Sequence, residues 1–430
     1  MVVYLVEDHE LPLVDGVALV RAGERWEPDA RVGLADVTGD LLRSGGTVQH
    51  PVEVLNRLLE ERAASIESSI GTTVGRITFS SLSADLPVIF PLFAEVLQTP
   101  AFAPDPLELE KTKRRGAIAR RNDNPKNIAS REFYKLIYGS TSPYARTLEY
   151  ADLARIQRND VVQFHQQYFQ PNRMLLGVVG DFDTVAMKAL IEKVFGSWQP
   201  SGAVGQQMNQ TLPPVQQATP SGIFVVEQPQ LTQSYVLMGH LGGQLDSADY
   251  PALDVMNNVM NGFGGRLFNE LRSRQALAYS VYAYWRAQFD YPGVYIAGGQ
   301  TRGEATVPLI QGLKTEIERL QRNRITPQEL EYAKDSTLNS FVFNFQSPYQ
   351  TISRLMRYEY YGYPADFLSR YRRGVEATTI VDIERVARLY LRTDKLVTLV
   401  VGNIDKIQPP LDTLAAGESI PQLDITIPEP

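Results

Sequence analysis

Two residues of complementary chemistry stand seven positions apart in the stretch NGFGGRLFNELRSRQALAYSVYAYW, Asn261 to Trp285. Arg272 falls in the last turn of a helix predicted from about Arg266 to Gln275, and Tyr279 falls early in a strand predicted over 277–285. A helix that reverses into a strand can bring such positions together. A guanidinium offers a fork of donors to a carbonyl or carboxylate, and a phenol donates to a developing oxyanion without acting as a base. The pair therefore suits acyl-transfer chemistry. A plainer reading also exists: an arginine favoured at a helix C-terminus by the macrodipole, and a half-buried tyrosine in a sheet. On spacing alone the plainer reading is the stronger. Ahead of the helix, Gly262, Gly264 and Gly265 free the backbone, and amides there can hold a phosphate or a peptide carbonyl. No Gly-x-x-x-x-Gly-Lys pattern follows, so nucleotide binding has little support.

Other chemistries are poorly served. The chain has no cysteine, and its four histidines, His9, His50, His165 and His240, are too scattered for a His-x-x-Glu-His or His-Glu-x-x-His zinc helix. His165 reads as a surface or packing residue. No Gly-x-Ser-x-Gly elbow marks a nucleophile. With 42 basic against 49 acidic side chains the net charge is −7, which disfavours nucleic acid and anionic membranes. One basic run, KTKRRGAIARR from Lys111 to Arg121, reads as the solvated face of a helix. The longest apolar runs, such as Leu86 to Phe93, fall short of the ~18 residues of a membrane span. The first ten residues lack a signal-peptide pattern, which places the sequence as given in the cytoplasm, or in the periplasm if a leader preceded it.

The elements that must position these residues come from one unit used twice. DVVQFHQQYFQPNRMLLGVVGDFD, Asp160 to Asp183, aligns without a gap on DIERVARLYLRTDKLVTLVVGNID, Asp382 to Asp405, pairing Tyr168 with Tyr390 and Gly180 with Gly402. Each copy reads as an amphipathic helix, a turn and a buried strand. Between the halves lies a segment rich in Gln, Pro, Gly and Ser, which has linker composition. The expected organisation is an N-terminal half at 1–198, a linker at 199–221 and a C-terminal half at 222–430. Strands in hairpin-like runs, with helical stripes such as Leu86, Ile89, Phe90 and Phe93, predict an α+β class in which each half is an antiparallel sheet with helices packed on one face.

The duplicated halves, the opening VYLVEDHELPLVDGVALVRAGERWEP, the helix GLADVTGDLLRSGGT, the strands VVGDFD and VVGNID, and GGRLFNELRSRQALAYSV together resemble the pitrilysin and insulinase superfamily of zinc peptidases. The likeness is greatest to its bacterial processing-peptidase-like branch and spans essentially the full chain. It implies the two-halved fold of mitochondrial processing peptidase and a chamber for unfolded peptide. It also exposes a loss. The family's His-x-x-Glu-His falls on Asp36, Val37, Thr38, Gly39 and Asp40, so that Asp36 and Asp40 stand at the histidine positions and Gly39 at the general base. The distal glutamate position, counted back from Pro125, falls on Ala117. Two aspartates one turn apart without a third ligand make a poor cation site, and a chain without the metal cannot activate water for peptide hydrolysis alone. Arg272 and Tyr279, by contrast, match the family's Arg/Tyr pair in type, spacing and context, which reverses the plainer reading above. Gly262, Gly264 and Gly265 then line the substrate path. The resemblance implies a zinc-free subunit that lends Arg272 and Tyr279 to the zinc site of a His-x-x-Glu-His partner, with zinc held only by that partner. The alternative it implies is a structural or peptide-binding scaffold of the same fold.

Overall fold

The computed structural model describes residues 1–200, 213–415 and 419–429. Most of the expected linker, at 201–212, lies outside the described residues.

Val2–Glu7 (β1), Leu13–Val20 (β2), Ser65–Ile70 (β3), Gly75–Leu82 (β4) and Met174–Gly180 (β5) form one sheet in the order β1-β5-β2-β4-β3. Gly222–Glu227 (β6), Gln233–Leu241 (β7), Ser280–Arg286 (β8), Val294–Arg302 (β9) and Val397–Gly402 (β10) form a second, in the order β6-β10-β7-β9-β8. The two orders are the same topology repeated. In each sheet the outermost first strand runs parallel to the last, β1 to β5 and β6 to β10, and the other pairs are antiparallel.

Helices of the first half are Leu34–Ser44 (α1), Val52–Glu60 (α2), Leu86–Gln98 (α3), Pro104–Ala119 (α4), Pro125–Tyr138 (α5), Tyr150–Arg155 (α6), Arg158–Tyr168 (α7) and Thr184–Phe195 (α8). Those of the second are Tyr250–Met260 (α9), Thr306–Arg322 (α10), Pro327–Val342 (α11), Pro348–Tyr360 (α12), Phe367–Ala377 (α13) and Ile380–Tyr390 (α14). The repeated segments are α7 with β5 and α14 with β10. Their shared aspartates have a local reason: Asp160 accepts from the Gln157 amide at 2.8 Å, and Asp382 from the Thr379 amide at 3.0 Å, each closing a capping box.

Each half's own helices cover one face of its sheet, as the periodicity predicts. Val14, Ala18, Leu176 and Val178 pack against Leu41 of α1 and Phe90 and Phe93 of α3. Val236, Met238 and Val400 pack against Leu253 and Met256 of α9 and Leu313 of α10. The opposite face of each sheet is covered by a helix from the other half. Ile352, Met356 and Tyr360 of α12 lie on Val17, Leu19, Leu175 and Val179, while Ile128, Phe133 and Ile137 of α5 lie on Val226, Leu237, Ile296 and Leu399. That is why β5, MLLGVVG, and β10, VTLVVG, are almost unbroken apolar runs: both faces are buried. Gly177 in β5 permits the approach of α12, since a Cβ there would stand 2.4 Å from Met356 Sδ. Among the described residues no helix is long and apolar enough to cross a membrane.

Candidate functional site

In the N-terminal half, α1 carries Asp36, Gly39 and Asp40. Its first turn is anchored by buried Glu27, which accepts from the amides of Gly33 and Ala35, each at 2.9 Å, and pairs with Arg146 at 3.1 Å. Burial pushes this carboxyl up to about 7, against the pull of the two amides and the guanidinium. Asp36 and Asp40 point at α4, whose Arg114 places Nη2 2.8 Å from one carboxylate and 2.9 Å from the other. Nε of Arg114 reaches Asp36 again at 3.2 Å, and Nη1 pairs with buried Glu110. One guanidinium thus bridges the carboxylates of Asp36, Asp40 and Glu110.

These residues do not fit a zinc ion. The two aspartates are committed to Arg114, exposed Ala117 has no ligating atom, and a Cβ on Gly39 would lie 2.4 Å from the Ile70 backbone nitrogen of β3. The space a general base needs is filled by main chain. Among the described residues no group of three or more His, Asp or Glu side chains can hold a metal ion. The basic run departs here from its expected solvated face: Lys111 and Arg114 are buried, while Lys113, Arg115 and Arg120 remain outside.

The C-terminal half presents a different picture. The predicted helix over 266–275 is, from Phe268 to Arg274, a π-helical segment, a rare geometry that recurs at functional sites. Arg272 lies in its last turn, and Tyr279 immediately precedes β8. The structure brings the two together: the guanidinium carbon sits 4.8 Å from the Tyr279 ring centroid and 4.8 Å from that of Phe268. Neither residue does what the plainer reading required. Arg272 bonds no helix carbonyl, the helix end being closed by the Gln275 amide on Glu270 O at 3.1 Å, and Tyr279 is 83% exposed instead of half-buried. No hydrogen bond or ion pair among the described residues occupies the donors of Arg272 or the Tyr279 hydroxyl.

The glycine turn is packed from below by Tyr332 of α11. A Cβ on Gly264 would meet the Tyr332 ring at 2.9 Å, and Gly262 takes φ +79°, the left-handed region open to glycine. Two of the amides expected to be free are engaged, Gly264 N with the Tyr332 hydroxyl at 3.3 Å and Gly265 N with Gly262 O at 3.1 Å. Buried Arg266 ties the segment to α11 through Glu329 at 2.6 Å. Residue reading passed over Phe263 and Phe268, whose rings meet edge to face at 5.1 Å, Phe263 being 81% exposed. An apolar ring inside a glycine turn, and one a helical turn before Arg272, were the available signals.

Residues 155–337 match the family described as "Peptidase M16 inactive domain". An uncharacterised zinc protease of Bacillus subtilis, YmxG, is 26% identical over 61% of this chain and 62% of its own length, so the match spans less than two thirds of that relative. A Helicobacter pylori protein named "Non-peptidase homolog YmxG" is 22% identical over 93% of this chain and 91% of its own. The crystal structure of a peptidase M16 inactive domain from Pseudomonas fluorescens shares the fold, with a TM-score of 0.84 and 24% identity over 95% of this chain and 97% of that one. These likenesses are consistent with the pitrilysin and insulinase superfamily of zinc metallopeptidases, and residues 155–337 are similar to its inactive domain.

Proposed function

We propose that this chain is the zinc-free subunit of a two-chain metallopeptidase that cuts unfolded peptides, and that it supplies Arg272 and Tyr279 to a partner bearing His-x-x-Glu-His. The observation that carries the reading is the contact of part-buried Arg272 with exposed Tyr279, the side-chain donors of both being unused among the described residues. A tyrosine kept for stability would be buried or hydrogen-bonded; Tyr279 is neither. Stacking on Phe268 and Tyr279 holds the guanidinium plane while leaving its N–H edge free for a substrate carbonyl. The Tyr279 hydroxyl is then placed to donate to an oxyanion formed on the same substrate. The exposed ring of Phe263 adds apolar surface that a partner or peptide would cover. Zinc and the general base belong to the partner in this scheme, and none of this chain's residues is asked to hold either.

The test is zinc-dependent cleavage of a quenched peptide by this chain co-expressed with a His-x-x-Glu-His homologue, each subunit alone serving as control. Activity only in the mixture, and lost in an intact Tyr279→Phe complex, is the expected result. Failure to associate, or activity indifferent to Tyr279, would leave a scaffold or peptide-binding protein.

A further inference from the structure

We infer that a cavity between the two halves binds a small anionic ligand with phosphate or carboxylate groups and a flat apolar part. The cavity has a volume of about 520 Å3, within the range of small-molecule sites. Arg76 of β4 reaches it from the first half, and Arg354 and Arg357 of α12 from the second. No Asp or Glu lines it.

Among the described residues none of the three arginines makes an ion pair. Arg76 donates only to the Tyr349 hydroxyl at 2.9 Å and Arg354 only to Asn344 at 2.6 Å, while Arg357 has no hydrogen bond and lies 6.0 Å from the Phe289 ring. Acidic side chains are not scarce in this chain, which carries 49 of them against 42 basic ones. The acids next to lining residues in the sequence are engaged elsewhere or do not line the cavity: Glu359 accepts from the Tyr4 hydroxyl, Asp249 pairs with Arg385 at 2.6 Å, Asp290 pairs with Arg25 at 2.7 Å, and Asp246 is not among the lining residues. Two further polar atoms of lining residues, Arg354 Nε and the Ser353 hydroxyl, are buried without a partner. Phe289 and Tyr358 supply aromatic wall. Three guanidiniums without an ion pair, beside aromatic rings, are the recognition set for such an anion. Because the arginines come from both halves, binding clamps the halves together. This inference does not depend on the peptidase reading.

Calorimetric titration of the full chain with pyrophosphate, citrate and phenyl phosphate, read alongside thermal unfolding, tests it. The expected result is one-to-one binding of at least one probe, with a rise in Tm. Exposed Arg357→Ala, and independently Arg76→Gln, should each weaken that binding about tenfold or more, while Arg322→Ala on α10 leaves it unchanged. Which probe binds assigns the anionic group, and tighter phenyl phosphate than pyrophosphate assigns the ring. Binding of none of them at about millimolar concentration, or binding indifferent to both variants, overturns the inference.

Discussion

Arg114 sets one guanidinium against Asp36, Asp40 and Glu110. Removing it leaves Asp36 and Asp40 unpaired and buried Glu110 with only exposed Lys113, at 3.2 Å, as counter-ion, and losing one partner of a fully buried ion pair costs several kcal/mol. Asp36 and Asp40 are nearly half exposed, which reduces the cost. Arg114→Met should destabilise the protein by about 2 kcal/mol in urea unfolding, with recovery when Glu110→Gln and Asp40→Asn are added. An unchanged midpoint would show that the cluster carries no net energy. The opposite expectation holds across the molecule. Tyr279 is exposed and bonded to nothing, so Tyr279→Phe should leave Tm unchanged while lowering turnover of the mixed complex by roughly tenfold to a thousandfold, the range for one lost oxyanion donor. A loss of stability in that variant would assign the tyrosine to the fold.

At the level of elements, two histidines are held neutral by the packing they join. His165 of α7 places Nε2 2.9 Å from Leu97 O, at the end of α3, between the rings of Phe102 and Phe169. His240 of β7 places Nδ1 2.8 Å from Leu241 O and accepts from the Arg392 amide at Nε2, 3.1 Å away, which leaves no site for a second proton. Burial lowers each imidazole from 6.5 to about 4. Between those values the unfolded chain binds a proton that the folded chain refuses. Stability from each histidine is therefore intact above pH 6.5 and is lost as the pH falls, by roughly 3 kcal/mol near pH 4. Urea unfolding followed from pH 7 to 4 should show that decline, and a His165→Gln, His240→Gln double variant should flatten it. An equal slope in both proteins would place the acid sensitivity elsewhere.

For the molecule as a whole, the exchange of α5 and α12 decides how it folds. Each helix completes the core of the other half, so neither sheet is covered on both faces by its own sequence. Arg25 pairs with Asp290 at 2.7 Å, Tyr144 stacks on Tyr291 at 4.1 Å, and the Tyr360 hydroxyl donates to Thr73 O at 2.7 Å, all across the same junction. Calorimetry of the intact chain should give a single cooperative transition. Residues 1–198 or 222–430 expressed alone should expose an apolar sheet face and aggregate, and co-expression of the two should restore a folded pair. Two independent transitions, or a stable isolated half, would contradict a shared core.

Wherever a property depends on neighbours along the chain, the sequence was enough. Spacing of Leu86, Ile89, Phe90 and Phe93 marked α3, and the matched runs Asp160–Asp183 and Asp382–Asp405 marked α7 with β5 and α14 with β10, because amphipathic period and capping are local. Tertiary structure decided what depends on residues far apart. The basic run gave no sign that Arg114 turns inward, since Asp36 and Asp40, which it meets there, lie on a helix more than seventy positions earlier. Nothing local told which sheet α5 or α12 would cover, because an apolar stripe specifies burial and not the surface that buries it. The π-helical segment at Phe268–Arg274, and with it the stacking of Arg272 on Tyr279, likewise follows from how the glycine turn seats on α11.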